Sequence, residues 1–338
     1  MARWDELVEA NPDGGNTLQS RTWGDFKARW GWRPERFVAT LSGKEVAIQF
    51  LVRDVPLLGQ IWYAPKGPRI TTLDRLREVT QQIREAKLPA VLVKLEPEIL
   101  ADDVETSELA KLGLVRGGRD LQSKSTIFID LKPTEDELLA SFNQSARRSI
   151  RKAQNGGVVV EPVAPTIENL KIMFELMRAT EARAHYGLRP QTYFTDYWRS
   201  QIEAGQGQLL FAKHEGEVLA GIFVTFIGKR GWYKDGGSFE VKRELAPSYL
   251  MQWETMRWLK AQGIEQYDMV GVPNRNEIGT GNARDGLHEF KSKFNPDVTE
   301  FIGCWDLPMN ASKYRLWKKF GERVAGRLAA RSPERFLY

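Results

Sequence analysis

One order of apolar segments occurs twice in this sequence. Phe37 to Leu41 and Glu45 to Val52 flank a Ser42-Gly43-Lys44 turn; Gln60-Ile61-Trp62-Tyr63, an amphipathic stretch from Thr72 to Lys87 and a short apolar run from Ala90 to Leu95 follow. The second half offers Leu209 to Lys213, Val218 to Ile227, Gly231 to Lys234, Pro247 to Gln262 and Gln266 to Val270 in the same order. Ile61-Trp62-Tyr63 answers Gly231-Trp232-Tyr233 at an offset of 170 residues. Helical patterns precede both copies. Ser20 is placed to cap a helix carrying Trp23, Phe26 and Trp30 on one stripe, and further helices are expected from Ile167 to Arg183 and from Tyr193 to Ala204. A duplicated αββαβ unit accounts for this order, and 338 residues suffice for two cores. The expected fold class is α/β, with two like domains in tandem.

The expected boundary lies where a long helix from Thr134 to Gln154 meets Asn155-Gly156-Gly157, a helix stop. That gives a first domain over 1–155, completed by a C-terminal helix within 307–338, and a second over 156–306. The last helix is expected from Ala311 to Ala330, with Trp317, Phe320, Val324 and Leu328 packed on the body.

Composition narrows the chemistry. A single cysteine, Cys304 in the apolar run Phe301-Ile302-Gly303-Cys304-Trp305, excludes an intramolecular disulfide and reads as a packing residue. His185, His214 and His288 are too scattered for a metal cluster, and no cofactor is implied. Runs of about 18 apolar residues are absent, and the N-terminus lacks an apolar signal core, so the expected location is cytoplasmic. The net charge of +5 and pI near 9.1 call for an anionic partner: nucleic acid, a phosphorylated ligand or an acidic membrane face.

Lysines set among phenylalanines, Phe290-Lys291-Ser292-Lys293-Phe294, are the leading candidates for catalysis, because a lysine in a partly dry, restricted setting suits an anion-stabilising group. His288 reads as a loop histidine, and Asp235 and Asp268 as strand-end carboxylates that fix loops, so no dedicated general base is evident. Two basic stretches remain. Arg147, Arg148, Arg151 and Lys152 form adjacent rows on one helix. Arg315, Lys318, Lys319, Arg323 and Arg327 oppose the apolar stripe of the last helix. Each reads as a phosphate track, a solvated face or, for the last helix, a contact with anionic lipid.

Leu18-Gln19-Ser20 with Trp23 and Lys27, Asn143 to Ala153, Tyr233 with Gly236-Gly237-Ser238, Tyr267-Asp268 with Gly271, and Phe290-Lys291 with Phe294 occur in an order that resembles the Fem (FemABX) peptidyltransferases. The similarity spans nearly the whole chain and is to the compact members that lack a long helical-hairpin arm. It implies tandem domains of the GCN5-related acetyltransferase (GNAT) fold and transfer of an amino acid from aminoacyl-tRNA to the stem-peptide side-chain amine of a peptidoglycan precursor. Whether the acceptor is UDP-MurNAc-pentapeptide or lipid II stays open. A monomer is the expected state, and the expected cytoplasmic location extends to the inner face of the membrane where the acceptor is lipid-linked. By residue, it implies Lys291 as the oxyanion-stabilising group with Lys293 as its alternative. Lys27 and Arg183 would hold the precursor, with Thr180, Tyr186 and Tyr233 for hydrogen bonds or stacking and Arg189 as the alternative to Arg183. Arg147, Arg148, Arg151, Lys152, Lys318, Lys319 and Arg323 would follow the tRNA. Ordinary enzymes of this fold cradle coenzyme A on backbone N–H groups of a glycine-rich turn. Here the turns read Arg243-Glu244-Leu245-Ala246-Pro247-Ser248 and Pro65-Lys66-Gly67-Pro68-Arg69-Ile70, whose prolines remove donors, so acetyl-CoA is not the expected donor.

Overall fold

A computed structural model describes residues 2–55, 57–184 and 187–321. The chain divides into two compact units, one comprising 1–124 with 300–338 and the other 125–299.

In the first unit, helices Ala2–Glu9 (α1) and Arg21–Arg29 (α2) precede strands Arg33–Leu41 (β1), Lys44–Val55 (β2) and Gly59–Ala64 (β3), helix Leu73–Glu85 (α3), strand Ala90–Leu95 (β4), helix Thr106–Lys111 (α4) and the short strand Val115–Arg116 (β5). Ser20 caps α2 as expected, its hydroxyl accepting from the Trp23 N–H at 3.2 Å. The β1–β2 hairpin turns at Ser42 and Gly43, both left-handed at φ 47° and 80°, which matches the twist of the flanking strands. β3 and β4 pair in parallel across α3, whose Leu76, Val79 and Ile83 enter the core. A returning strand, Trp305–Pro308, then slots between β4 and β5, antiparallel to both. Lys94 and Asp306 meet across it in a buried ion pair at 2.5 Å, and the Tyr314 hydroxyl donates to the other Asp306 oxygen at 3.1 Å.

The second unit contains Ser125–Thr126 (β6), Phe128–Asp130 (β7), helices Glu135–Ser141 (α5) and Gln144–Asn155 (α6), strand Val159–Val163 (β8), helices Ile167–Ala184 (α7) and Gln191–Glu203 (α8), strands Gly207–His214 (β9), Glu217–Ile227 (β10) and Arg230–Ser238 (β11), helix Pro247–Ala261 (α9), strand Gln266–Asp268 (β12) and helix Asp285–Lys291 (α10). Its sheet runs β7-β12-β11-β10-β9-β8, with β11 and β12 parallel across α9. The two units therefore share one plan: an antiparallel meander, a helical crossover to a parallel strand, and a further antiparallel strand beyond it. This is the tandem GNAT-like architecture.

Three expectations change. The expected boundaries at 155/156 and 306/307 differ from the observed ones, because β7 pairs with β12 and Ala146, Ile150 and Ala153 of α6 pack in the second core, while Trp305 belongs to the first sheet. The single helix expected from Thr134 is two, parted by extended Phe142 and by Asn143, whose side chain caps α6 on the Ser145 N–H at 2.8 Å. The last helix is followed from Ala311–Leu316 into a π-helical turn, Trp317–Gly321. Trp317 is buried there, but Phe320 is half exposed rather than packed; Val324 and Leu328 lie outside the described residues.

Candidate active site

β11 pairs with β12 only from Arg230 to Trp232, then runs on to Ser238 along β10. Beyond Trp232 the two parallel strands part, and Lys291 enters beside them. It ends α10 and is 3% exposed. Its Nζ donates to the Val270 carbonyl and, at 3.3 Å, to the Gly271 carbonyl, and lies 5.1 Å from the Tyr233 ring centroid.

The acceptors are aimed by an unusual turn. Val270 and Gly271 are both left-handed, at φ 49° and 60°, and a β-branched residue adopts that conformation only when its surroundings impose it. Asp268 supplies the constraint: Oδ1 accepts from the Val270 N–H at 2.7 Å and from the Thr126 hydroxyl. Its role is thus the loop-fixing one expected from the sequence, and it has a second effect. Burial drives the Lys291 amine down to about 7 against the pull of the Asp268 charge, with Arg284 adding to the lowering. The amine is poised to change protonation near neutrality.

Lys293 is different. It is half-buried, bonded to the Tyr249 hydroxyl at 3.3 Å and to Glu289 at 3.4 Å, and the Tyr249 bond raises its affinity for the proton. Tyr249, Phe290 and Phe294 stack on one another with centroids 5.1 to 5.9 Å apart, and Phe294 meets Phe142 at 5.2 Å. The Asn143 N–H donates to the Lys293 carbonyl at 2.9 Å, tying the start of α6 to this turn. Gln144, Arg147, Arg148 and Arg151 line an open cavity of about 420 Å³ on α6, and Lys152 is exposed one position beyond Arg151.

Thr180 and Arg183 come together at the far end of β11. The Arg183 guanidinium donates to the Ser238 carbonyl at 2.9 Å and to Thr180 at 3.2 Å, and the Ser238 N–H donates to the Thr180 hydroxyl at 3.1 Å. Gly237 permits this approach, since a Cβ there would sit 2.5 Å from the Leu176 carbonyl oxygen of α7. Arg189 stacks on Tyr193, 4.5 Å from its centroid, instead of joining Arg183. Tyr186 and Arg323 lie outside the described residues. Lys27, on α2 of the first unit, is buried with its Nζ 5.5 Å from the ring centroids of both Trp23 and Trp32. Lys318 and Lys319 sit on the π-helical turn, Lys319 over the Phe320 ring at 5.2 Å. His288 lies on α10 rather than in a loop.

The two turns that in ordinary enzymes of this fold cradle coenzyme A are built as follows. In the second unit Ala246 is left-handed, at φ 54°, and Pro247 opens α9 without an N–H. In the first, Arg69 is fully buried between Asp13 at 2.8 Å and Glu98 at 2.7 Å. Cys304 is buried, and burial pushes its thiol well up, away from nucleophilic character.

Sequence reasoning did not find the Thr126–Asp268–Val270 arrangement, in which Thr126 and Asp268 stand 142 residues apart. Nor did it find the contact of Trp198 with Asp235, where the indole N–H donates to the carboxylate at 2.8 Å.

The sequence model of the FemAB family matches residues 3–202 and 198–320. Lipid II:glycine glycyltransferase of Staphylococcus epidermidis is 23% identical over 397 aligned positions, covering 95% of this chain and 94% of that protein. The enzyme of the same name from Staphylococcus aureus is 23% identical over 402 positions, with the same coverage. Both alignments are longer than this chain, so the relatives carry inserted residues that it lacks. The crystal structure of FemX matches with a TM-score of 0.81 at 22% identity, over 94% of this chain and 97% of that one. L-PGS from Bacillus licheniformis matches at 0.53 and 16% identity, over 97% of each chain.

Proposed function

This chain belongs to the FemAB family, and from that membership we propose that it is an aminoacyltransferase, moving an amino acid from aminoacyl-tRNA to the side-chain amine of a peptidoglycan stem peptide. The observation that carries the reading is the buried Lys291 amine, held against Tyr233 and two carbonyls where β11 and β12 part. The relatives are named for lipid II, so lipid-linked precursor is the proposed acceptor and UDP-MurNAc-pentapeptide its rival.

In the reaction the acceptor nitrogen, after losing one proton, forms a bond to the ester carbon of the donor. The carbonyl oxygen gains negative charge, which protonated Lys291 stabilises. Collapse breaks the bond to the ribose oxygen, which leaves with the second amine proton. One fixed donor aimed at such an oxyanion is worth roughly 10²–10³ in rate. Lys293, bonded to Tyr249 and Glu289, is the alternative cation. Arg183 and Thr180 are fixed well enough to hold a precursor phosphate, with Tyr233 as a stacking surface, and Lys27 is the first unit's candidate cation. Arg147, Arg148 and Arg151, joined to the Lys293 turn through Asn143, suit the donor's phosphates; binding whose salt dependence survived Arg148→Gln with Arg151→Gln would refute that assignment.

Transfer of label from charged tRNA to lipid II and, in parallel, to UDP-MurNAc-pentapeptide, with and without ribonuclease, tests the reading. A ribonuclease-sensitive product on lipid II is expected. Product from acetyl-CoA alone would overturn it.

A second contact is favoured by Leu316 and Phe320, 48% and 52% exposed beside Lys319: this segment touches anionic lipid at the membrane surface. Among the described residues no helix is long and apolar enough to cross a membrane. Undiminished sedimentation with anionic vesicles after Leu316→Glu and Phe320→Glu would dismiss the contact.

A further inference from the structure

The face of the second sheet opposite Lys291 holds a carboxylate that the proposed chemistry has not used. The register of β10 against β11 slips at Lys234: Val224 faces Tyr233, but Phe223 faces Asp235. A bulge of this kind re-aims the side chain that follows it. Tyr233 consequently packs with the α9 core, whereas Asp235 turns toward α8 and Trp198.

Asp235 is half-buried there. The Trp198 indole N–H donates to Oδ2 at 2.8 Å. Among the described residues nothing donates to Oδ1, and the carboxylate forms no ion pair. Its neighbours are rings: Trp198 and Tyr197 pack on Phe223, with centroids 6.1 and 5.6 Å away. Burial pushes the Tyr193 hydroxyl up to about 12 and that of Tyr197 well above its ordinary range, so both rings are neutral at physiological pH. Burial also raises the Asp235 carboxyl, with Lys234 and the Trp198 bond pulling the other way.

A desolvated carboxylate that forms no ion pair is costly, the pull of the Lys234 charge offsetting burial only in part, and the cost is recovered when a cation binds it directly. Neutral aromatic faces around a carboxylate favour an ammonium in particular. We propose that Asp235, walled by Trp198 and Tyr197, binds the side-chain ammonium of the acceptor and takes its first proton at Oδ1. The inference rests on the aminoacyl-transfer reading. Of the two amines in that reaction, the acceptor's, with a pKa of about 10.4, arrives fully protonated, while the donor's α-amine, at about 7.7–8.0, is partly neutral already. Asp235 stands two residues from Tyr233, roughly 7 Å along a strand that rises about 3.3 Å per residue. β11 has no β12 partner at either position, so the acceptor would have to reach Asp235 past this edge of the strand, which β12 leaves unpaired.

The test is equilibrium binding, without donor, of two precursors to the full chain: one with the intact stem-peptide amine and one in which hydrogen replaces it. The native protein is expected to prefer the amine-bearing precursor by about tenfold or more, in line with a charged hydrogen bond. Asp235→Asn, which preserves shape and an acceptor for Trp198, should bind both alike, and Asp235→Glu should recover part of the preference. An undiminished preference in Asp235→Asn, or none in a native protein that catalyses transfer, overturns this assignment alone. A native protein that binds neither precursor and transfers nothing overturns the aminoacyl-transfer reading, and this inference falls with it.

Discussion

Replacing Lys291 by methionine tests whether its amine is as dry as its surroundings suggest. In the unfolded chain a lysine titrates near 10.4; in the folded protein burial brings Lys291 to about 7. Below about pH 7 the amine is charged in both states, and the native protein carries the whole cost of burying that charge. As pH rises, the folded state loses the proton first, so the unfolded state binds more protons and stability increases with pH. The gain is complete once the unfolded lysine also titrates. A tenfold change in proton affinity corresponds to about 1.4 kcal/mol, so the fall from about 10.4 to about 7 gives a total swing of roughly 5 kcal/mol, of which about 4 kcal/mol falls between about pH 6 and pH 10. Methionine fills a similar volume and does not titrate. The assay is urea unfolding of native protein and Lys291→Met at several values between about pH 6 and pH 10. The native protein is expected to be the less stable of the two at the acid end and to regain about 4 kcal/mol relative to the variant by the alkaline end. A difference that stays flat across this range would refute the reasoning, since it would mean that the amine is solvated. Transfer activity should fall roughly 10²–10³-fold in the variant with KM little changed.

Two further substitutions probe the frame. Gly237→Ala drives a methyl against the Leu176 carbonyl of α7, and overpacking of this kind costs about 1–3 kcal/mol; a lowered Tm is expected, together with a raised KM for the acceptor as Thr180 and Arg183 lose their grip on Ser238. Asp306→Ala strands Lys94 in the first core, which costs about 3–5 kcal/mol, while the pair Asp306→Leu with Lys94→Met should restore most of that stability in chemical unfolding.

Much of the fold was legible because it is written in local periods. The Ser20 cap, the Ser42-Gly43 turn and the Leu76, Val79 and Ile83 stripe each involve residues within a few positions of one another, and each stands where the pattern puts it. The repeat was legible for the same reason, since Trp62 and Trp232 lie on corresponding strands, although Trp62 packs in the first core whereas in the second Tyr233 takes that face. The domain boundary was not. Phe128–Asp130 is a three-residue strand whose place is decided by pairing with Gln266–Asp268, far along the chain, and no local pattern reports a partner so distant. The glycine stop at the end of α6 is a true helix end, but a helix end inside one unit looks the same in sequence as one at a boundary.

The candidate site divides in the same way. That Lys291 lies between phenylalanines is local and was readable; that Lys291 and not Lys293 is the dry lysine follows from contacts made elsewhere. Lys293 finds Tyr249 and Glu289 at its surface, whereas Lys291 meets carbonyls that face it because Asp268 bends Val270 into a left-handed turn and Thr126 steadies Asp268. Asp235 makes the point from the opposite face. Its side chain turns toward Trp198 because one residue is added to β11 relative to β10, and a register is a relation between two strands, carried by neither sequence alone. The ring that meets Lys291 and the carboxylate proposed to take the acceptor's proton are therefore set on opposite faces of one strand by a bulge, where strict alternation would have put Tyr233 and Asp235 on the same face.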